Sequence, residues 1–117
     1  HAPNHLVAAG SDHGVVSLWD LRKLRRLQWL NLRSQLEGGV TSLAVAQGCS
    51  HLAVGSSTGR VLALDVQRRR WQSICKHSDA VFGLAWGVPW PWRGGSEQFL
   101  LCASHDGTWS AWIPAQE

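Results

Sequence analysis

The sequence predicts an all-β fold made of repeated blades of four antiparallel strands. Three observations predict it. The apolar runs of this 117-residue chain are about 5–7 residues long, too short for most helices. A strand–tight turn–strand unit occurs three times, and its turn glycines, Gly14, Gly59 and Gly107, stand 45 and 48 residues apart. Eight Trp and 12 Gly punctuate the chain, which has no Tyr and no Met, as expected for many short strands.

The elements follow in order. Residues 5–11 (HLVAAGS) read as a strand that stops at Asp12-His13-Gly14, and residues 15–19 (VVSLW) form its return. The pattern recurs as 51–56 (HLAVGS), Thr58-Gly59 and 61–64 (VLAL), and again as 99–104 (FLLCAS), Asp106-Gly107 and 108–112 (TWSAW). Glycine suits these turns because a tight hairpin needs a positive φ there. Residues 40–45 (VTSLAV) and 80–86 (AVFGLAW) precede the second and third hairpins. They alternate only partly, as strands buried between neighbouring sheets do. Residues 27–32 (LQWLNL) and 71–75 (WQSIC) follow charged turns and read as outermost strands. Residues 21–35 also fit one amphipathic helix, although the repeat register puts a turn and a strand there.

A period near 40–45 residues with four strands per repeat is the mark of propeller blades. The third repeat then resembles the WD-repeat family of β-propellers. Residues 76–81 (KHSDAV) are similar to the family's Gly-His-x-x-x-Val opening, with Lys76 for Gly. Residues 104–112 are similar to its Ser-x-Asp-Gly-x-x-x-x-Trp ending. The resemblance implies a buried hydrogen-bonded tetrad of His77, Ser104, Asp106 and Trp112. A buried carboxylate needs such donors, and imidazole, hydroxyl and indole groups supply them. The first repeat keeps the pair Trp19-Asp20 but has His13 before its glycine, with Asp12 one residue early. The second is degenerate: Leu36 replaces the His, Thr58 the Asp and Leu64 the Trp. Without that network, blade two is expected to rely on packing. At ~45 residues per blade the chain holds roughly two and a half blades, while closure takes about 4–8. The expected units are 1–35, the end of a first blade; 36–76, a second, degenerate blade; and 77–117, a third blade lacking its outer strand. The incomplete ring implies a C-terminal piece of a larger propeller, with the remaining blades missing from this chain.

Composition narrows the function. Eleven Lys and Arg against eight Asp and Glu give a net charge of +3, and 44% of residues are hydrophobic, which excludes a highly charged disordered tail. No apolar run approaches the ~18 residues of a membrane span. The opening residues, HAPNHLVAAG, lack Met and lack a signal pattern, and read as the interior of a longer chain. Three widely spaced cysteines, Cys49, Cys75 and Cys102, argue against a disulfide framework and for an intracellular location, cytoplasm or nucleus. The pairs Cys49/His51 and Cys75/His77 do not have zinc-ligand spacing, so no metal and no cofactor is expected. His77, Ser104 and Asp106 match a hydrolytic triad in composition only, because no G-x-S-x-G elbow accompanies them.

Basic residues cluster at Arg22, Lys23, Arg25 and Arg26 and at Arg68, Arg69 and Arg70, both between the third and fourth strands of a repeat. A loop at 87–96 carries Trp90, Trp92 and Arg93 beside two prolines and opens on the same side. Arg68, Arg69, Arg70, Trp90, Trp92 and Arg93 are the candidate partner-binding residues. Such residues also occur as solvated turns or as lids over apolar surface. The expectation is a non-enzymatic protein-interaction scaffold in an intracellular multiprotein complex, with other proteins as partners and no membrane. Two alternatives are a nucleic-acid or ribonucleoprotein binding module, and a regulatory propeller appended to an upstream enzyme domain.

Overall fold

The computed structural model describes residues 6–87 and 98–113. Among the described residues ten strands form three antiparallel sheets. The first contains β1 (Leu6–Gly10), β2 (Val15–Asp20) and β3 (Arg25–Asn31), in that order. A single helical turn, α1 (Arg33–Leu36), leads to the second sheet. That sheet runs in sequence order through β4 (Val40–Val45), β5 (His51–Ser56), β6 (Arg60–Asp65) and β7 (Arg70–Lys76). A short 3-10 turn (Gln47–Cys49) joins β4 to β5. The third sheet contains β8 (Val81–Gly87), β9 (Phe99–Ser104) and β10 (Trp109–Trp112), with β9 in the middle.

The all-β, blade-like reading of the sequence is met. The helix alternative for residues 21–35 is not: the segment is a turn, then β3, then the start of α1. A long helix would have exposed the apolar side of β3, where Leu27 and Leu30 now pack against the core. β7 and β3 both carry the register shift of a bulge against their partners, which suits strands at a sheet's outer edge.

Two seams hold the sheets together. Side chains on a strand alternate in direction, and β5 and β6 use both directions. Leu52, Val54, Leu62 and Leu64 face the first seam, against Val16, Leu18, Leu32 and Leu36. Ala53 and Val61 face the second, against Val81, Leu100 and Cys102. The continuous apolar runs of β5 and β6 therefore reflect burial on two faces. Trp86 of β8 anchors the second seam further by donating its indole N–H to the Ala44 carbonyl at 2.9 Å. Thr41 at the start of β4 hydrogen-bonds the Val81 carbonyl through its hydroxyl.

Candidate functional site

One corner motif recurs in the β1–β2, β5–β6 and β9–β10 turns. Each reads Ser-x-x-Gly: Ser11 to Gly14, Ser56 to Gly59, Ser104 to Gly107. The glycine N–H donates to the serine carbonyl at 3.2, 3.2 and 3.1 Å respectively. The serine hydroxyl oxygen accepts from backbone N–H groups inside the turn: His13 and Val15 at 3.2 Å, Thr58 at 3.3 Å and Arg60 at 3.0 Å, and Asp106 at 3.3 Å. Each serine thus satisfies donors that a two-strand ladder leaves open. The turns also clasp the chain entering the next sheet. Leu32 N–H donates to the Gly14 carbonyl and His77 N–H to the Gly59 carbonyl, both at 2.8 Å. Ser104 is legible in the sequence, and the shared Ser-x-x-Gly spacing is the signal for the equivalent roles of Ser11 and Ser56.

The third corner is the most polar. His77, with a side chain 9% exposed, places Nδ1 3.0 Å from Thr108 Oγ1 and Nε2 2.9 Å from Ser110 Oγ. Asp106 accepts at Oδ2 from the Ser78 N–H (3.0 Å) and hydroxyl (2.9 Å). At Oδ1 it accepts from the Thr108 N–H (2.8 Å) and hydroxyl. These donors hold its carboxyl well below the usual carboxylate range, the Thr108 hydroxyl contributing most and the Thr108 N–H next. His77 Nδ1 and Asp106 Oδ2 are 3.8 Å apart, an ion pair when the imidazole is protonated. Ser104 is buried and its hydroxyl donates to the carbonyls of Asp79 (3.0 Å) and Ala80 (3.2 Å).

The structure therefore gathers His77, Ser104 and Asp106 at one corner and leaves Trp112 out of the bonding. Trp112 is 39% exposed, and among the described residues its indole N–H has no partner. The reason lies in the strand. Ser110 shares a face of β10 with Trp112 but stands two residues nearer the turn, and its hydroxyl takes the imidazole nitrogen first. Thr108 likewise stands between His77 and Asp106.

Blade two has a smaller, uncharged version of this corner. Ser56 Oγ and Thr58 Oγ1 are 2.9 Å apart, and the Thr58 hydroxyl donates to the Leu36 carbonyl at 2.6 Å. The expectation of packing alone is thus corrected: Thr58, at the acid's place, hydrogen-bonds the main chain instead of an imidazole, while Leu36 fills the seam. At the first corner Asp12 and His13 point into solvent, 3.6 Å apart.

At the opposite ends of these hairpins lie the two basic turns. Each is organised by the acid that ends the preceding strand. Asp20 Oδ1 accepts from the Arg22 N–H at 3.0 Å, and Asp65 Oδ1 from the Arg68 N–H at 3.1 Å. Each turn also contains a residue with left-handed backbone, Leu24 (φ 48°) and Arg69 (φ 55°). Arg22, Lys23, Arg25, Arg26, Arg68, Arg69 and Arg70 are all exposed. A hydrogen bond of 3.3 Å from Gln28 Nε2 to the Val66 carbonyl joins β3 to the start of the second turn. Arg68 and Arg70, with His51, Asp65 and Trp71, line a shallow groove there. Trp90, Trp92 and Arg93 lie outside the described residues. The role of Gln28 had no signal in the sequence, because its partner is 38 positions away.

Among the described residues, no group of three or more His, Cys, Asp or Glu side chains could hold a metal ion. No described helix is long and apolar enough to cross a membrane.

The comparisons with known proteins agree with this geometry. The family model of the Nucleolar protein 10-like N-terminal domain, a β-propeller, matches residues 1–82. The chain belongs to that family. The solved structures it resembles are WD40 propellers. The crystal structure of the RRP9 WD40 repeats superposes with a TM-score of 0.76 at 20% identity, covering 92% of this chain and 32% of that one. Saccharomyces cerevisiae Sqt1 gives 0.77 at 19% identity, covering 96% and 29%. A chain of the Mitotic Checkpoint Complex gives 0.70 at 21% identity, covering 93% and 31%. At such identities the likeness is one of fold. The chain spans about a third of the length of these structures. Among curated proteins none matches.

Proposed function

We propose that this chain contributes blades to a larger propeller that serves as a non-catalytic protein-interaction platform. In this reading residues 1–35, 36–76 and 77–117 are successive blades, and the protein works in the nucleolus, as the name of its family suggests. The observation that carries the proposal is the basic end built from two neighbouring turns. Asp20 and Asp65 fix the turn backbones, and Gln28 of β3 bonds the second turn at the Val66 carbonyl. Rigid turns lose little entropy on binding, and exposed guanidinium groups recognise carboxylates or phosphates in a fork geometry. Trp90, Trp92 and Arg93 belong to the same proposed surface. An acidic segment of a partner protein is the ligand this chemistry favours. The third corner carries His77, Ser104 and Asp106 as braces of the fold, each side chain committed to hydrogen bonds at that corner.

The arginines also support a second reading, contact with RNA. Both are tested with the intact protein and its Arg26→Glu/Arg69→Glu variant. Partner recovery from nucleolar extract should fall at least about tenfold in the variant with melting unchanged, since truncating central interface residues costs ~2 kcal/mol or more. Recovery should survive ribonuclease. Loss on ribonuclease treatment, with affinity falling steeply with salt, would assign the face to RNA. Undiminished recovery in the variant would move the binding surface away from these turns.

A further inference from the structure

Two of the three cysteines meet at the second seam. Cys75 is the penultimate residue of β7, and Cys102 lies in the middle of the third sheet, in β9. Cys102 is register partner to Ser110 of β10, and Cys75 Sγ lies 4.0 Å from the Ser110 hydroxyl. Both side chains belong to the same packed cluster, Cys102 within it and Cys75 against it. His77 closes the cluster, 2.9 Å from the same Ser110 hydroxyl. Cys102 is buried, 1% exposed, among Ala53, Val61, Val81 and Leu100, whereas Cys75 is half-buried and reaches the surface. Both are free thiols. Cys49 sits apart, in the turn between β4 and β5.

We propose that Cys75 and Cys102 form a reversible redox pair, in which a hydroperoxide oxidises Cys75 and Cys102 then closes a disulfide that staples the second sheet to the third. The surroundings assign the roles. The neighbouring Cys102 thiol brings the Cys75 thiol down to about 6, and Ser110 and His77 act in the same direction, against the effect of burial. The Cys102 thiol is pushed up, by its Cys75 neighbour and by burial. The half-buried sulfur is thus the more acidic one and the buried one keeps its proton.

The chemistry balances with hydrogen peroxide as oxidant. The Cys75 thiolate attacks one peroxide oxygen, an S–O bond forms, the O–O bond breaks, and the departing hydroxide takes a proton to become water. Cys75 is then a sulfenic acid. The Cys102 sulfur attacks the Cys75 sulfur, the S–S bond forms and the S–O bond breaks. The second hydroxide leaves with the Cys102 proton as water. Two thiols and one peroxide give one disulfide and two waters, with two electrons passing from sulfur to oxygen. A dithiol reverses the step by exchange.

The test uses the intact protein, purified reduced, treated with equimolar hydrogen peroxide, quenched with N-ethylmaleimide and mapped by mass spectrometry. The expected product is a cross-linked peptide joining Cys75 to Cys102, short of two hydrogens, reverting with dithiothreitol, while Cys49 remains alkylated. In Cys102→Ser, dimedone should trap Cys75 as the sulfenic acid and no cross-link should form. In Cys75→Ser, the initial rate of thiol oxidation should drop by about tenfold or more, since the low-pKa thiol is gone. The proposal fails if Cys75 and Cys102 both stay alkylatable in the unsubstituted protein, or if the cross-link joins Cys49 or two molecules. The unsubstituted protein decides this even where a variant does not fold.

Discussion

Asp106 shows how much one side chain organises at the third corner. It accepts from two N–H groups and two hydroxyls, one of each from Thr108 in its own turn and from Ser78 in the segment between β7 and β8. Its carboxyl is therefore ionised to lower pH in the folded chain than in the unfolded one. Between those two values the unfolded chain binds more protons, so stability rises with pH there. Asp106 thus contributes fully above about pH 5, and its contribution is lost as pH falls through about 4 toward the folded value. Asp106→Asn should flatten the acid limb of a stability–pH curve measured by urea denaturation at several pH values. An unchanged acid limb would show that the carboxylate is not held as described. The neighbouring residues separate this network from the family's tetrad. Ser110→Ala strands a nearly buried imidazole nitrogen and should cost about 1–3 kcal/mol. Trp112→Phe removes only an unbonded N–H and should stay within ~0.5 kcal/mol. Denaturant midpoints in the intact protein compare the two, and the reverse order would restore Trp112 to the network.

At the scale of the element, the hairpin turns look alike in sequence but differ in what surrounds them. Gly59 has φ +95°, and a methyl group there would lie 2.0 Å from the His77 carbonyl oxygen. Gly107 has φ +86° and nothing within 4 Å of such a methyl group. Gly107→Ala should therefore cost only the left-handed penalty of about 1–2 kcal/mol. Gly59→Ala should cost a further ~1–3 kcal/mol for overpacking. Equal losses, read from urea midpoints, would mean that the clasp between Gly59 and His77 is absent. Sequence reading found most strands to within a residue or two, and β4, β5 and β9 at their observed bounds. It found them because turn glycines and apolar runs are local signals. It could not show that Thr58 would bond the Leu36 carbonyl or that Ser110 would take His77, since these contacts depend on how sheets meet.

For the whole molecule, the third sheet presents an apolar face of Ala85, Leu101, Ala103 and Trp109. Phe82, Trp109 and Ile113 are more than half exposed. Among the described residues β10 pairs on one side only, with β9. An open strand edge beside apolar surface recruits further strands. The 117-residue chain expressed alone should therefore self-associate at micromolar concentration, measured by sedimentation velocity. A monomer that melts cooperatively would show that this face is stable in water.

The sequence by itself determined the class of fold, the strands of the described residues and the family, because these rest on a period, on glycines at turns and on short apolar runs, which any chain segment carries without knowledge of its neighbours. It also marked His77, Ser104 and Asp106 as partners at one corner. Only the tertiary structure decided which hydroxyls complete that corner, that Gln28 of β3 reaches the Val66 carbonyl, and that Cys75 packs in one cluster with Cys102. Those contacts join residues 27 to 38 positions apart across sheet seams. Their geometry follows from how alternating side chains of separate sheets interlock, a property of packing that no local pattern encodes.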